Sequence, residues 1–286
     1  MAIVLDNITY TYGVGTPFEK TALHGVSLTV ENGEFLGIIG HTGSGKSTFV
    51  QHLNGLLHPT TGTVTVNGVD ISASTEEAKK MRHKVGMVFQ YPEHQLFEET
   101  IAEDIAFGPK NLGLSAAEVD ERVRDAMKFV GLDYDTYAER SPFHLSGGQM
   151  RRVAIAGVVA MDPDFLVLDE PSAGLDPFGR EEIFEEIIRL HKEKGITVIL
   201  VSHNMEDISR MASRLVVLDK GRIVLDGEPM DIFNNHRDEL QAVGVDVPPV
   251  SVTMEYLREQ GLDVSNRVLS VDDAVQAILE GGSHVK

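Results

Sequence analysis

The sequence predicts an α/β fold built around a parallel sheet that is buried on both faces. Three apolar runs of strand length lie at residues 34–40 (EFLGIIG), 164–169 (DFLVLD) and 196–202 (ITVILVS). The runs are continuous rather than alternating, and predicted helices separate them along the chain, which is typical of parallel strands covered on both sides. One of these helices, over residues 46–57, follows the first run after a glycine-rich loop.

Further elements are predicted around this core. Residues 3–9 and 22–30 indicate an antiparallel strand pair, and residues 63–69 indicate a third strand near them. A helix is predicted over residues 180–194, because apolar side chains recur there on one stripe and Gly195 marks the end.

The middle third of the chain has a different pattern. From residue 91 to about residue 161, strand signals fade and helical patterns dominate. Residues 115–130 are one such helix, and Ser115 and Glu118 at its start form a capping box. We interpret this region as a helical subdomain that is inserted between the first and second core strands.

The pattern changes again near the C-terminal end. Two short helical patterns, at residues 253–260 and 271–279, follow a loop. We therefore predict one large domain over residues 1–235 and a small C-terminal accessory unit over residues 236–286.

The composition limits the class of protein. The formal net charge is −19 at pH 7, whereas proteins that bind nucleic acid usually present a basic face, so DNA and RNA are disfavoured as partners. There is no cysteine, which excludes a disulfide scaffold and a thiolate metal site. No apolar stretch approaches the roughly 18–20 residues of a membrane-spanning helix, and the first twelve residues lack the basic residue of a secretory signal. We expect a soluble chain whose link to any membrane comes through a partner.

A phosphate-binding loop (P-loop) follows the first predicted strand. Residues 40–47 (GHTGSGKS) match the pattern G-x-x-x-x-G-K-[ST], in which glycines let backbone N–H groups surround phosphates. The next helix adds its positive N-terminal end. Lys46 would reach the β- and γ-phosphates, and the Ser47 hydroxyl would ligate Mg²⁺. The nucleotide contacts predicted in this segment are Gly40, His41, Thr42, Gly43, Ser44, Gly45, Lys46, Ser47 and Thr48.

Two acids end the second apolar run. We expect Asp169 to lie beside the P-loop, where it can hold the Mg²⁺ shell. Glu170, one residue later, would face the other way and activate a water molecule. Many strands end in acids, so this signal is weak alone and gains its value from the P-loop upstream.

Residues 145–149 (LSGGQ) are the most informative segment. Taken alone, they predict a turn before a helix that begins near Gly147, with Ser146 as its N-cap. Here they stand upstream of Asp169 and lead into a basic and apolar helix over residues 150–161. In this company the chain resembles the ATP-binding cassette (ABC) family, whose signature sequence is LSGGQ. The signature residues that this resemblance places on ATP are Ser146, Gly147, Gly148 and Gln149.

Four further positions match the pattern of this family in order. Tyr12 stands where the family has an aromatic ring that stacks on adenine, although an ordinary strand tyrosine is the alternative. Gln90 matches the Q-loop glutamine, and Asp176 ends the D-loop (SAGLD) on the nucleotide. His203 matches the switch histidine, where a lone histidine would usually be structural. The resemblance assigns catalytic roles to Glu170, His203, Lys46 and Gln90, and contacts with Mg²⁺ to Ser47, Gln90 and Asp169.

The resemblance covers roughly residues 3–233 and implies the fold of the family. That fold is a P-loop NTPase ABC cassette with a RecA-like core, an inserted helical subdomain and an antiparallel β subdomain, here followed by the small C-terminal accessory domain. It also implies two cassettes packed head to tail around two ATP molecules. Each ATP would be held by Lys46 and Ser47 of one subunit and by Ser146 and Gly148 of the other.

Finer marks resemble the ATPases of energy-coupling factor (ECF) importers of vitamins and transition-metal ions. They lie at residues 15–19 (GTPFE), 90–97, 175–180 and 243–249, and the first is similar to the second of two ATPase types in those importers. The resemblance implies a peripheral ATPase at the cytoplasmic face of the cell membrane. Its partners would be a second ABC ATPase, identical or homologous, an integral membrane coupling protein and a substrate-binding membrane protein. Residues 91–97 would form the coupling surface.

Two other functions compete with this interpretation. A soluble ABC ATPase of DNA maintenance or translation typically carries a long coiled-coil insertion or two cassettes in one chain, and this sequence shows neither. A regulatory module that has lost hydrolysis is disfavoured by Glu170, His203 and the intact signature. For the C-terminal unit we expect a dimer-holding or partner-contacting role, with passive cover of an exposed edge as the alternative.

Overall fold

The computed structural model describes residues 1–281, which form two β-sheets with helices around them. The strands are β1 Ala2–Tyr12, β2 Lys20–Glu31, β3 Phe35–Ile39, β4 Thr61–Val66, β5 Val69–Asp70, β6 Val85–Val88, β7 Phe165–Asp169, β8 Thr197–Val201, β9 Arg214–Asp219 and β10 Arg222–Gly227. The helices are α1 Lys46–Leu53, α2 Glu76–His83, α3 Ile101–Asn111, α4 Ala116–Phe129, α5 Tyr134–Tyr137, α6 Gly147–Val159, α7 Pro177–Lys194, α8 Met205–Met211, α9 Pro229–Asn235, α10 Arg237–Ala242, α11 Pro249–Glu259 and α12 Val271–Gly281. Two 3₁₀ turns lie at Pro92–Gln95 and Pro142–His144.

The larger sheet has six strands in the order β10-β9-β3-β8-β7-β6. All neighbours pair in parallel except β10, which runs antiparallel to β9 at one edge. Every residue of β3, β7 and β8 is buried, and one large hydrophobic cluster packs against each face. The predicted parallel sheet, covered on both sides, is confirmed.

Sequence analysis does not assign three strands of this sheet, namely β6, β9 and the edge strand β10, and β6 bears on the predicted insertion. β6 pairs in parallel with β7, so that Val85 lies opposite Phe165 and Val88 opposite Leu168. The helical region follows β6, so the prediction that it is inserted between the first and second core strands is wrong. It lies between the second and third. The four apolar residues of β6 follow a polar helix and are too few to show a periodic signal.

The smaller sheet is antiparallel, in the order β2-β1-β4-β5. It confirms the predicted pairing of the two N-terminal strands. The single strand predicted over residues 63–69 is instead the end of one strand, a two-residue turn and the start of the next. Asn67 and Gly68 form that turn at φ +52° and +81°, conformations that suit a tight hairpin.

The predicted helices are present, with shifted ends. The capping box at the start of α4 is confirmed, since the Glu118 N–H donates to Ser115 Oγ and the Ser115 N–H donates to the Glu118 carboxylate. α1 ends at Leu53 rather than at residue 57. α7 begins at Pro177 rather than at residue 180.

The C-terminal segment has two attachments of different kinds. Leu240 and Val245 are buried in one of the two large hydrophobic clusters of the core sheet. α11 and α12, in contrast, pack on each other around a small cluster of their own that includes Met254 and Val268. Both helices confirm the helical patterns predicted there, although α11 starts earlier than expected, and the final residues 282–286 lie outside the described range. The division of the chain at residue 235 stays a prediction. None of the helices within residues 1–281 is long and apolar enough to cross a membrane.

Candidate functional site

A cleft of about 1030 Å³ lies at the carboxyl ends of the parallel strands, where α/β sheets usually bind their ligands. We call it the main cleft. The loops that follow β3, β7 and β8 all contribute to its walls. The predicted site residues that it brings together are Tyr12, Gly40, His41, Thr42, Gly43, Gly45, Lys46, Ser47, Thr48, Gln90, Asp169, Glu170 and His203.

The P-loop takes a path that only glycine permits at two of its positions. Gly40 has φ +152°, and a Cβ there would lie 2.3 Å from the Leu218 carbonyl oxygen. Gly45 has φ +107°, and a Cβ there would lie 3.0 Å from the Ala22 carbonyl oxygen. The loop is therefore pressed against β9 and β2 while its other side faces the main cleft.

Lys46 begins α1 and lies inside the curve of this loop. Its Nζ donates to the Gly40 carbonyl oxygen at 2.6 Å and to the His41 carbonyl oxygen at 3.1 Å. Burial lowers the pKa of the Lys46 ammonium, while the nearby carboxylates of Glu170 and Asp169 act in the opposite direction. The positive charge thus sits between the P-loop and the two acids.

Ser44 is the P-loop residue that the structure does not place in the main cleft. Its side chain is fully buried beneath the loop. Its carbonyl oxygen accepts a hydrogen bond from the Gly221 N–H at 2.8 Å. Ser44 therefore anchors the loop to the turn between β9 and β10 from inside.

Asp169 is the last residue of β7 and is buried to 7% exposure. Burial raises the pKa of its carboxyl group, and a hydrogen bond from Ser47 together with the charge of Lys46 opposes that rise. Asp169 lies beside the P-loop residue Ser47, at the position that the sequence predicts, and its role toward Mg²⁺ stays a prediction.

Glu170 has an unusual backbone. Its φ is +53°, a backbone conformation that residues other than glycine seldom adopt. Such residues cluster at functional sites. Its N–H donates to the Val201 carbonyl oxygen at 3.0 Å, which fixes the residue to the end of β8. This turn directs its carboxylate to the side of the main cleft where β8 ends.

His203 contacts that carboxylate. Its Nδ1 lies 2.8 Å from Glu170 Oε2, and its ring is 76% exposed whereas the Glu170 side chain is 12% exposed. Burial raises the pKa of the Glu170 carboxyl group, and the hydrogen bond with His203 opposes the rise. A carboxylate with these surroundings is suited to accept a proton from a water molecule.

Tyr12 and Gln90 lie at the rims of the main cleft. The Tyr12 hydroxyl and Thr48 Oγ1 are 3.0 Å apart, and the Tyr12 ring packs edge-on against Tyr10 at a centroid distance of 4.8 Å. The ring is 42% exposed, so a face of it is open to a planar ligand, and its role as a strand tyrosine also stands. Gln90 lines the cleft two residues after β6 ends.

The signature residues lie elsewhere on the chain. Ser146, Gly148, Gln149 and Asp176 line a second depression, the signature depression, together with Phe178 and neighbouring residues. The two predicted halves of the site are therefore separate within one chain. Gly147 is the first residue of α6 beside this depression.

Local hydrogen bonds explain the shape of the signature depression. Ser146 caps α6, because the Gln149 N–H donates to Ser146 Oγ at 3.3 Å and the Ser146 N–H donates to Gln149 Oε1 at 3.1 Å. Asp176 caps α7 by accepting from the Gly179 N–H at 2.7 Å. The N-cap role predicted for Ser146 is confirmed, and the reciprocal role of Gln149 completes a capping box that sequence analysis did not identify.

Arg151 is a structural residue of the site that sequence reasoning missed. Its guanidinium is 1% exposed, donates twice to the Glu93 carboxylate at 3.1 Å, and donates to the carbonyl oxygens of Pro171 at 3.0 Å and Ala173 at 2.7 Å. It thereby joins the segment after Gln90 to the backbone just after Glu170. The sequence signal is weak, because Arg151 and Arg152 stand side by side in α6, and only the fold shows that Arg151 is the buried one that needs partners.

His41 was predicted as a P-loop residue, but its two contacts were not: Nε2 lies 2.9 Å from Asp219 Oδ1, and Nδ1 lies 2.7 Å from the Thr42 carbonyl oxygen. Sequence analysis did not assign to the site several other residues that line the cleft: Lys20, Lys220, and Gly244, Val245 and Asp246 of the segment 243–249, which was noted only as a mark of the family. No local pattern announces these residues, because they reach the cleft only through folding of distant segments.

Among residues 1–281, no group of three or more His, Asp or Glu side chains is placed to hold a metal ion by itself. The oxygen donors of Ser47, Gln90 and Asp169 are instead of the kind that holds Mg²⁺ jointly with the phosphates of a substrate.

Comparisons with known proteins agree with this geometry. Residues 23–173 match the family model described as ABC transporter. The energy-coupling factor transporter ATP-binding protein EcfA2 of Clostridium tetani is 53% identical over 98% of this chain and 97% of its own length. The EcfA2 protein of Clostridium perfringens is 52% identical, with 98% of each chain covered.

Solved structures show the same likeness. The cbiO1 structure from Clostridium perfringens, described as part of the ABC transporter complex cbiONQ, has a TM-score of 0.73 and 35% identity over 88% of this chain and 98% of its own. A dimeric ATP-binding cassette in a post-hydrolysis state, bound to ADP and Pi, has a TM-score of 0.70 and 31% identity over 79% of this chain and 98% of its own. The ABC cassette fold predicted from the motifs is confirmed. This chain therefore belongs to the ABC transporter family and, within it, to the energy-coupling factor transporter ATP-binding proteins.

Proposed function

We propose that the chain binds ATP in the main cleft and hydrolyses it to power an ECF-type importer of vitamins or transition-metal ions. The observation that carries the chemistry is the contact between the half-buried Glu170 carboxylate and His203 at 2.8 Å, beside Lys46 and the P-loop. Transport is favoured over a soluble ABC ATPase of DNA maintenance or translation, because relatives matched over 98% of the chain are named transporter ATP-binding proteins.

The P-loop supplies the phosphate site. Its glycines hold the backbone against β9 and β2, and the N-terminal end of α1 adds partial positive charge on the cleft side. Lys46, whose Nζ now donates to two carbonyl oxygens of the loop, would transfer those hydrogen bonds to phosphate oxygens. Tyr12 would offer the open face of its ring to adenine.

The residues present fit Mg²⁺. A hydroxyl, a carboxylate and an amide from Ser47, Asp169 and Gln90 are hard oxygen donors, and the first two already contact each other. When bound, Mg²⁺ supplies positive charge that offsets the charge of the phosphate oxygens. The P-loop and the end of β7 hold Ser47 and Asp169 in the positions in which they would bind Mg²⁺.

The catalytic step follows from the Glu170 position. The carboxylate takes a proton from water as the water oxygen bonds to the γ-phosphorus and the bond from that phosphorus to the ADP oxygen breaks. His203 holds the carboxylate in place and, with Lys46, stabilises negative charge on the transferred phosphoryl group.

A second cassette would complete each site. The signature depression carries Ser146 and the α6 N-terminus, while its carboxylates are engaged, Asp176 with the α7 N-terminus and Glu182 with Arg152. It is therefore suited to bind the γ-phosphate of an ATP held by a partner cassette. The solved cassette that is described as dimeric supports this arrangement. The partner would be an identical or homologous ATPase.

The C-terminal unit offers a surface for that pairing. Val252 and Tyr256 lie one helical turn apart on α11 and are 51% and 58% exposed. Val271 and Val275 lie one turn apart on α12 and are 66% and 51% exposed. Apolar side chains in helical register favour a dimer-holding contact over passive cover of an edge.

Membrane proteins would dock beside the Q-loop. Tyr91 and Phe97 are 43% and 57% exposed, and Phe97 packs edge-on against the half-exposed Phe107 at a centroid distance of 4.9 Å. This aromatic surface is suited to contact an integral coupling protein, which in turn would join a substrate-binding membrane protein. The chain would then lie peripherally at the cytoplasmic face of the membrane.

Affinity purification tests this function. The tagged chain is purified from detergent-solubilised membranes of its host, next to a variant in which Tyr91 and Phe97 are both changed to Ala. We expect the wild type to recover a second ABC ATPase and multi-helix membrane proteins, and the variant to recover the ATPase alone. Recovery of only soluble proteins, ribosomes or DNA-bound proteins by the wild type would overturn the transport function and leave ATP hydrolysis standing.

A further inference from the structure

The loop between α10 and α11 reaches back to the P-loop. Gly244, Val245 and Asp246 line the main cleft, although 198 residues separate Gly244 from the Lys46 that starts α1. Gly244 has φ +69°, and a Cβ there would lie 3.9 Å from the His41 Cβ. The C-terminal segment thus lies beside the side chain of the P-loop residue His41.

This loop is anchored rather than loosely placed. The Val245 N–H donates to the Leu240 carbonyl oxygen at 2.9 Å, and the Val245 side chain is buried in the large core cluster at 7% exposure. On the other side, His41 is held between Asp219 and the Thr42 carbonyl oxygen. Both surfaces of the contact are fixed, so Asp246 has a defined place in the wall of the cleft.

Asp246 brings an exposed carboxylate into a cleft that is proposed to bind a polyphosphate. Within residues 1–281, Asp246 forms no ion pair that would neutralise it. A like charge in the wall of an anion site disfavours the anion.

We propose that Asp246 weakens nucleotide binding in the main cleft and that the C-terminal unit thereby sets the affinity for ATP. This inference rests on the proposed nucleotide site. Repulsion through a solvent-exposed, high-dielectric region amounts to about a twofold to fivefold change in Kd. It grows with the charge of the ligand, so it is larger for ATP than for ADP.

The test compares charge changes at two positions of the C-terminal unit. Asp246→Asn and Asp246→Lys remove and reverse the charge in the wall of the cleft, whereas Asp263→Asn and Asp263→Lys make the same changes on an exposed residue that does not line it. The Kd of ATP and of ADP is measured by calorimetry on the full chain without Mg²⁺, at low salt and at about 1 M salt, where the Debye length shrinks to about 3 Å.

We expect Asp246→Asn to lower the Kd of ATP about twofold to fivefold at low salt, Asp246→Lys to lower it further, and both effects to fade at high salt. The Asp263 variants should match the wild type. Equal Kd values for the two aspartate positions, or weaker binding by Asp246→Asn, would overturn the inference.

Lys46→Ala separates this inference from the function on which it rests. If Lys46→Ala abolishes ATP binding while the Asp246 variants equal the wild type, only the role of Asp246 is overturned. If Lys46→Ala binds ATP like the wild type, the nucleotide site is itself misplaced and the proposal for Asp246 is overturned with it.

Discussion

The main cleft and the signature depression are built in different ways, although the motifs assign site residues to both. The main cleft is formed by loops at the ends of buried strands, and its polar groups contact one another. Lys46 donates to P-loop carbonyl oxygens, Ser47 donates to Asp169, and His203 contacts Glu170. The signature depression is formed by two helix N-termini whose caps, Ser146 and Asp176, are satisfied by their own helices.

This difference shows which groups one chain places by itself and which would act only with a second cassette. The main cleft has the acid–base pair and the cation before any partner arrives, so packing within one chain fixes them. The signature depression offers a helix N-terminus and glycine backbone, and its carboxylates are already engaged, Asp176 as the α7 cap and Glu182 with Arg152, so its proposed function is to bind the nucleotide of another cassette. Arg151 connects the two, because it lies on the signature helix and binds the backbone that follows Glu170.

The largest expected effect concerns the main cleft. Glu170→Gln removes the proton acceptor and keeps the shape of the side chain, so we expect ATP hydrolysis to fall about 10²–10⁴-fold. ATP binding and dimer formation should persist, because the P-loop and the signature depression are untouched. The measurements are phosphate release and size-exclusion chromatography with ATP. Glu121→Gln, an exposed change on α4, is the control, and turnover close to that of the wild type in Glu170→Gln would remove the role given to this residue.

The next prediction concerns Arg151, which connects the signature helix α6 to the backbone after Glu170. Arg151→Met leaves the Glu93 carboxylate, 16% exposed, without its partner. Loss of one member of a buried ion pair typically costs about 3–5 kcal/mol, so the free energy of unfolding should fall by that amount in urea denaturation. The double variant Arg151→Met with Glu93→Gln should regain part of the loss, because it no longer buries a lone charge. A double variant no more stable than the single one would contradict this account.

A matched pair of caps sharpens the comparison. Ser146 and Ser115 each start a helix with a capping box, but only Ser146 lies in the signature depression. Either change to Ala should lower the free energy of unfolding by about 1 kcal/mol. Ser146→Ala should also reduce ATP hydrolysis about tenfold or more, since a hydrogen bond to a charged phosphate is lost. Equal ATPase rates in the two variants would show that Ser146 acts only as a cap.

The last prediction concerns how the free energy of unfolding depends on pH, through Glu186 near the signature depression. Glu186 on α7 is half-buried near Arg152 of α6, and burial raises the pKa of its carboxyl group to about 7. A raised pKa in the folded state contributes stability that is full below about pH 4.5, the ordinary value, and is lost as pH rises through 7. Glu186→Gln should therefore lose less stability than the wild type as the pH rises from 5 to 8, and most of the difference should develop between pH 5 and pH 7.

Urea denaturation at both pH values measures this change, with Glu121→Gln as the reference. If the free energy of unfolding of Glu186→Gln changed with pH in the same way as that of the wild type, the pH dependence would not come from the Glu186 carboxyl group.

Much of the site was predictable because its motifs are local. The P-loop, the acids after β7 and the signature each need only a few consecutive residues in a given order. The capping boxes at Ser115 and Ser146 depend on residues three positions apart, which an α-helix always brings together. The parallel core was predicted from continuous apolar runs. That reasoning did not assign β6, where four residues carry too little signal, or β9, whose buried residues 215–218 lie beside β3.

The sequence by itself determined the family, the core sheet and the identity of the residues that meet the phosphates, because these are encoded in short patterns. Only the tertiary structure decided that Arg151 binds Glu93 across 58 positions, that His41 binds Asp219 across 178, and that Asp246 stands in the wall of the main cleft. The physical reason is that such contacts join segments far apart in the chain. Their partners are chosen by how sheets and helices pack, and no local spacing records that choice.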